Sequence, residues 1–157
     1  MNKVTVVGPM AKGFLEAMMT LSTNLKFCVV AKDGQLVLVL FKSEAPLTYH
    51  NHGVQLFMNL HVMYKIVVRG GGQATFDADK KTITVYEQSK AFGWTDIQET
   101  TELFKIGWPE YEIIFINDDE RVPVKEEEVQ YDADTFSKIE NSGVRYVDWG
   151  QDIEELA

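Results

Sequence analysis

The sequence holds one cysteine, Cys28, so no internal disulfide can form. A fold that relies on none suits a reducing compartment. Cys28 lies in the apolar run FCVV, where the surroundings favour a buried, inert thiol over a nucleophile. Long hydrophobic runs are missing too. The longest strongly apolar stretch, LVLVLF at 36–41, falls far short of the roughly 20 residues that cross a bilayer. Lys12, Gly13 and Glu16 interrupt the N-terminal region, which therefore carries no signal-peptide core. These absences predict a soluble, cytoplasmic protein with no membrane partner. Positive charge is also scarce: 15 Lys and Arg stand against 24 Asp and Glu, a net charge of −9. Residues 1–117 balance, with 11 acidic and 11 basic side chains, whereas residues 118–157 carry 13 acidic and 4 basic. A neutral body with an acidic tail argues against nucleic acid as a partner.

What is present suits one domain of 157 residues, with 45% hydrophobic and 25% charged residues. KVTVV at 3–7 reads as a strand. From Met10 to Leu21, apolar residues at 10, 14, 17, 18 and 21 follow helical spacing. LKFCVVA and QLVLVLF flank Asp33-Gly34, a tight-hairpin signal because both turn positions tolerate positive φ. Residues 50–63 read as a mostly buried helix with Val54, Phe57, Leu60 and His61 inward. YKIVVRGGGQATF is a long strand, DADKK a turn, TITVYE the returning strand and QSKAFG a loop. Asp96 to Lys105 is a helix with Ile97, Thr101 and Phe104 on one face, and YEIIFI is a further strand. In the tail, VPVKEEEV reads as extended and exposed, DADTFSKIENSG as a short helix with an Asp cap closed by Gly143, and VRYVDW as a strand. Trp149 and Tyr146 suggest that this last piece packs on the body. The order predicts α+β: a mixed β-sheet with helices packed on it.

Few residues carry chemistry on their own. His50 and His52 form an HxH pair, but two ligands are too few for a metal, and the nearest acids, Asp77 and Asp79, sit in a hairpin turn. His61 reads as a satisfied core histidine. Gly70-Gly71-Gly72 either bends the strand, admits another backbone or meets a ligand. Ser89-Lys90-Ala91 follows a strand and precedes a helix. Such a loop either aims successive N–H groups at an anion or is an ordinary surface loop.

The series Gly70-Gly71-Gly72, Asp79-Lys80-Lys81, Val85-Tyr86, Ser89-x-Ala91-Phe92-Gly93, Pro109-x-Tyr111-Glu112 and Asn117-Asp118 runs without a gap. In that order it resembles the Janus/Ocnus-type protein histidine phosphatases, the phosphohistidine phosphatase family. Upstream, Tyr49-His50 resembles the family's Tyr-His, and LKFCVV resembles its first strand, with Lys26 at the place of a phosphate-contacting lysine. The resemblance covers about residues 25–118. It leaves 1–24 as an N-terminal β-α addition and 119–157 as an acidic C-terminal extension.

The resemblance implies hydrolysis of a P–N bond in phosphohistidine or phospholysine, with no metal and no cofactor. His50 would act as general base or transient phosphoryl acceptor. The phosphoryl oxygens would lie against Asn51 at the helix start, Ser89, Lys90, Ala91 and Lys26. The implied partner is a phosphorylated protein or a small phosphoramidate. Three departures stand out. Gln73 follows the glycines where the family usually has a basic residue. Lys90 occupies a loop position that is often apolar. The interval from Tyr-His to the glycines is about two residues short, which makes His52 a rival to His50. A non-catalytic protein that binds a phosphate or a phosphoprotein is the alternative on the same scaffold.

Overall fold

The computed structural model describes residues 2–20, 23–116 and 122–156. In chain order the elements are β1 (Lys3–Pro9), α1 (Phe14–Thr20), β2 (Thr23–Lys32), β3 (Gln35–Phe41), α2 (His50–Leu60), β4 (Lys65–Asp77) and β5 (Thr82–Gln88). Then come α3 (Ile97–Gly107), β6 (Glu112–Phe115), β7 (Glu127–Gln130), α4 (Ala133–Glu140), β8 (Tyr146–Asp148) and α5 (Gly150–Leu156). The strands form one mixed sheet in the order β6-β5-β4-β2-β3-β1-β8, with β7 also paired to β4. β1/β3 and β5/β6 are parallel; the remaining pairs are antiparallel. The protein is α+β, a mixed sheet with helices packed on it.

The β2–β3 hairpin turns at Asp33 and Gly34, with φ of 51° and 78°. Two successive left-handed residues match the right-handed twist of the flanking strands. Leu25, Phe27 and Val29 point to the sheet face covered by α3, where they join Leu103, Phe104 and Trp108. Cys28 and Val30 point to the opposite face and join Val54, Phe57 and Met58 of α2.

β4 breaks this alternation. Cys28 pairs with Gly71 and Val30 with Val68, so two steps along β2 match three along β4. One extra residue flips the side-chain phase of a strand. Accordingly Ile66 and Val68 lie in the α2-side core, whereas Ala74 and Phe76 lie in the α3-side core. The glycine triplet is where the flip happens.

Several boundaries and faces differ from the sequence reading. The first helix starts at Phe14, after Gly13 with φ of 80°, and not at Met10, which is exposed. It buries Leu15 and Met18 while Ala17 faces solvent; Leu21 lies outside the described residues. α3 buries Thr100, Leu103, Phe104 and Gly107, so Ile97 and Thr101 are off its core face. The inward stripe is rotated by one residue: Leu103, Phe104 and Trp108 pack with Val4 and Ile153 in the core on that side of the sheet. Asn117-Asp118 lies outside the described residues.

The tail is built into the body. β7 extends the sheet along β4, with Ile66 opposite Val129 and Val68 opposite Glu127. The buried Gln55 side chain of α2 donates to Gln130 O at 3.0 Å and accepts from Asp132 N–H at 2.7 Å. Asp132 caps α4 through Oδ1, which accepts from the amides of Asp134 and Thr135. β8 pairs with β1, Val7 opposite Asp148, and α5 follows it.

Asp148 is the clasp. It accepts from Thr5 Oγ1, from Gly150 N–H at 2.7 Å and from His61 Nε2 at 2.6 Å. Lys32 Nζ sits 3.3 Å from His61 Nδ1. An ammonium can only donate, so that nitrogen accepts and Nε2 carries the ring proton. His61 is therefore satisfied, as its sequence setting suggests, but at the partly exposed end of α2 and by a carboxylate of the tail. Burial pushes the Asp148 carboxyl up, but its hydrogen bonds from His61, Thr5 and Gly150 outweigh this and hold it below its ordinary value. A lowered folded-state value means stability that is present above the ordinary carboxylate range and is lost as pH falls through the folded value. Asp148→Ala is expected to cost about 1–3 kcal/mol at neutral pH. The difference from wild type should shrink below about pH 4, as measured by urea unfolding at pH 7 and pH 3.

Candidate phosphate site on the glycine bulge

Gly70, Gly71 and Gly72 form the floor of the candidate site, and each meets a different neighbour. Gly70 has φ of 91°, and a Cβ there would lie 2.2 Å from Trp94 O. The backbone of 94–95 thus packs directly on it. At Gly71 a Cβ would lie 2.7 Å from Phe27 O, 3.0 Å from His50 Cδ2 and 3.1 Å from Cys28 Sγ. Gly72 offers its carbonyl to His50. The open alternatives for the triplet resolve in part: it bulges, and it admits another backbone.

His50 is the first residue of α2 and is buried. Its Nε2 lies 2.9 Å from Gly72 O. A carbonyl only accepts, so Nε2 carries the proton and the basic lone pair of the neutral ring is on Nδ1. Phe41 packs edge-on against the ring, with centroids 6.4 Å apart. Gly53, one turn along α2, leaves the room that Phe41 fills.

His52 is used differently. Its Nδ1 accepts from Thr48 N–H at 2.9 Å and Tyr49 N–H at 3.0 Å. It is the third residue of α2, the position from which Glu or Gln closes a capping box. Burial, then the charges of Lys26 and Lys138, push its imidazole below the ordinary value. Asn51, between the two histidines, is half-buried, with Oδ1 3.4 Å from Gln55 Nε2.

Lys26 lies opposite Gln73 in the β2–β4 ladder. Its Nζ donates to Thr48 O at 2.5 Å, just before α2. The Ser89–Gly93 turn is tied to the same floor. Ser89 N–H donates to Gly71 O at 3.0 Å, Gly71 N–H to Gly93 O at 3.0 Å, and Gly93 N–H to Ser89 O at 2.8 Å. Ser89 is buried, and its Oγ accepts from Phe92 N–H at 3.1 Å. Phe92 anchors the turn in the α2-side core. Lys90 and Ala91 are exposed at the tip, and their amides have no acceptor among the described residues.

The His50 ring thus bonds to residue 72 and the turn to residue 71, while the Lys26 backbone pairs with residue 73 and its ammonium reaches Thr48 O just before α2. Consecutive Cα atoms are about 3.8 Å apart, so the three elements share one small region. Arg69, just before the triplet, grips Glu99 of α3 through Nε at 3.0 Å and Nη2 at 2.9 Å and also meets Glu126 of the tail. Sequence reasoning missed this brace, as well as the capping role of His52. The one signal for the latter was its place three residues after the cap. Cys28 is fully buried behind Gly71, and burial pushes its thiol far above the ordinary range, with Lys26 opposing weakly. It is not a nucleophile at neutral pH.

Among the described residues no group of three or more His, Cys, Asp or Glu converges. No helix is long and apolar enough to cross a membrane. A glycine bulge faces a helix-start histidine, with a lysine and a tight turn beside it, on the mixed sheet of an α+β protein. The Janus/Ocnus family pattern matches residues 25–112, more than half of the chain. The chain belongs to the Janus/Ocnus family. No curated protein matches it.

Proposed function

We propose that the protein is a metal-independent phosphatase of P–N phosphoryl groups, acting on phosphohistidine or phospholysine in a protein or on a small phosphoramidate. The observation that carries this reading is the attachment of His50, Lys26 and the Ser89–Gly93 turn to residues 71–73. The amides of Lys90 and Ala91, with the α2 start at His50-Asn51, hold the phosphoryl oxygens. Lys26 offsets their charge, and Ser89 shapes the turn. His50 Nδ1 takes a proton from the attacking water as the O–P bond forms. The P–N electron pair leaves with the substrate nitrogen. A P–N bond is more labile than a phosphate ester, so positioning and charge stabilisation are most of the task.

Gln73, where the resemblance leads one to expect a base, favours a second reading, a phosphate- or phosphoprotein-binding regulator without turnover. A phosphohistidine peptide incubated with the protein and a chelator separates the two. Release of inorganic phosphate supports the phosphatase. Saturable binding without release supports the regulator. Neither binding nor release removes both.

A further inference from the structure

We infer that His52 is a positioning residue for the phosphate site: through Nδ1 it holds the Thr48–Tyr49 turn that starts α2 at His50 and anchors Lys26. The inference rests on the phosphate-site reading above and adds the control of that site. Four contacts carry it. His52 Nδ1 accepts the Thr48 and Tyr49 amides at 2.9 and 3.0 Å. His52 N–H donates back to Tyr49 O at 2.9 Å. The Tyr49 ring packs over the His52 ring with centroids 5.3 Å apart. The carbonyl of Thr48, on the residue whose amide His52 holds, receives Lys26 Nζ. One imidazole therefore fixes both the entry of the chain to His50 and the anchor of the site's lysine.

The arrangement works only while Nδ1 has a lone pair. Protonation would turn Nδ1 into a donor facing two N–H donors, and both bonds would be lost. Two cations bear on the ring, Lys26 from β2 and Lys138 from α4, and Tyr49 from its own turn covers it. Both cations oppose protonation, so the cap stays closed at neutral pH and opens in acid. Acid thus releases Thr48, and with it the Lys26 anchor.

The test uses the full chain, inorganic phosphate as the probe, and two variants. His52→Leu removes the acceptor. His52→Asn restores one through Oδ1 but cannot titrate. Phosphate affinity is measured from pH 5 to 8, alongside the NMR shifts of the Thr48 and Tyr49 amides and the His50 ring. We expect His52→Leu to bind about tenfold or more weakly at pH 7.5 and to shift the His50 ring resonances. His52→Asn should rescue binding and keep only the acidic fall that protonation of phosphate itself causes, a shallower profile than that of the wild type. Wild-type affinity in His52→Leu, or an unchanged acidic fall in His52→Asn, overturns the inference. If the wild type binds no phosphate at any pH, the site reading fails. The positioning claim is then judged by the NMR shifts alone: His50 resonances unmoved in His52→Leu refute it. If His52→Leu does not fold, the pH profile and amide shifts of His52→Asn decide.

Discussion

Replacing His50 with alanine is expected to lower phosphohistidine hydrolysis by about 10²- to 10⁴-fold, the usual contribution of a positioned acid–base group. On the proposed reading, the choice of this histidine over its neighbour rests on which nitrogen of each ring holds backbone. His52 spends its basic nitrogen on two backbone amides. His50 donates through Nε2 to Gly72 O, which leaves the basic electron pair on the other nitrogen. The substitution deletes the hydrogen bond to Gly72 O and the edge-on contact with Phe41, which together are worth about 1–3 kcal/mol. That is well within the 5–15 kcal/mol of a typical domain, so the variant should keep its circular dichroism and a cooperative melt. Phosphate release at the wild-type rate by a folded His50→Ala protein would remove His50 from the mechanism.

Gly70→Ala is expected to cost about 3–5 kcal/mol. Two independent obstacles add. The residue sits at φ of 91°, a conformation that L side chains rarely adopt, and the new carbon would lie 2.2 Å from Trp94 O. The obstruction is main chain and cannot rotate away. Relief requires moving the 94–95 backbone, which leads into α3 through its cap Asp96. Urea unfolding measures the loss. A midpoint equal to wild type would show that the backbones of 70 and 94 do not meet this closely.

Local patterns were readable where local physics decides. Asp33-Gly34 announced its turn, and the alternating and helical stretches announced most strands and helices, because backbone preference and burial agreed there. The α+β class followed from their order. His50, Lys26 and Ser89–Ala91 were legible as a group only through resemblance, since nothing in the spacing says that positions 26, 50 and 89 meet. The parts that stayed hidden depend on contacts between distant segments. The phase change in β4 needs knowledge of which residue opposes Cys28. The rotated face of α3 depends on its packing against Val4 and Ile153, residues far away in the sequence. Asp148 reads as one more acid in an acidic tail until β8 brings it to His61. α5, which starts at a glycine in that same acidic stretch, carried no signal of its own.

The pairing of β7 with Lys65–Val68 has a consequence for colloidal behaviour. β5 covers only residues 72–77 of that side of β4, so without β7 the row Ile66-Val67-Val68 would present bare amide and carbonyl groups. Such rows recruit further copies of a chain. The residues that close it include Glu127 and Glu128. Their like charges repel an approaching twin. The acid-rich segment thus acts as a built-in guard against fibril-like stacking, and its unusual composition becomes a solubility device with a defined address.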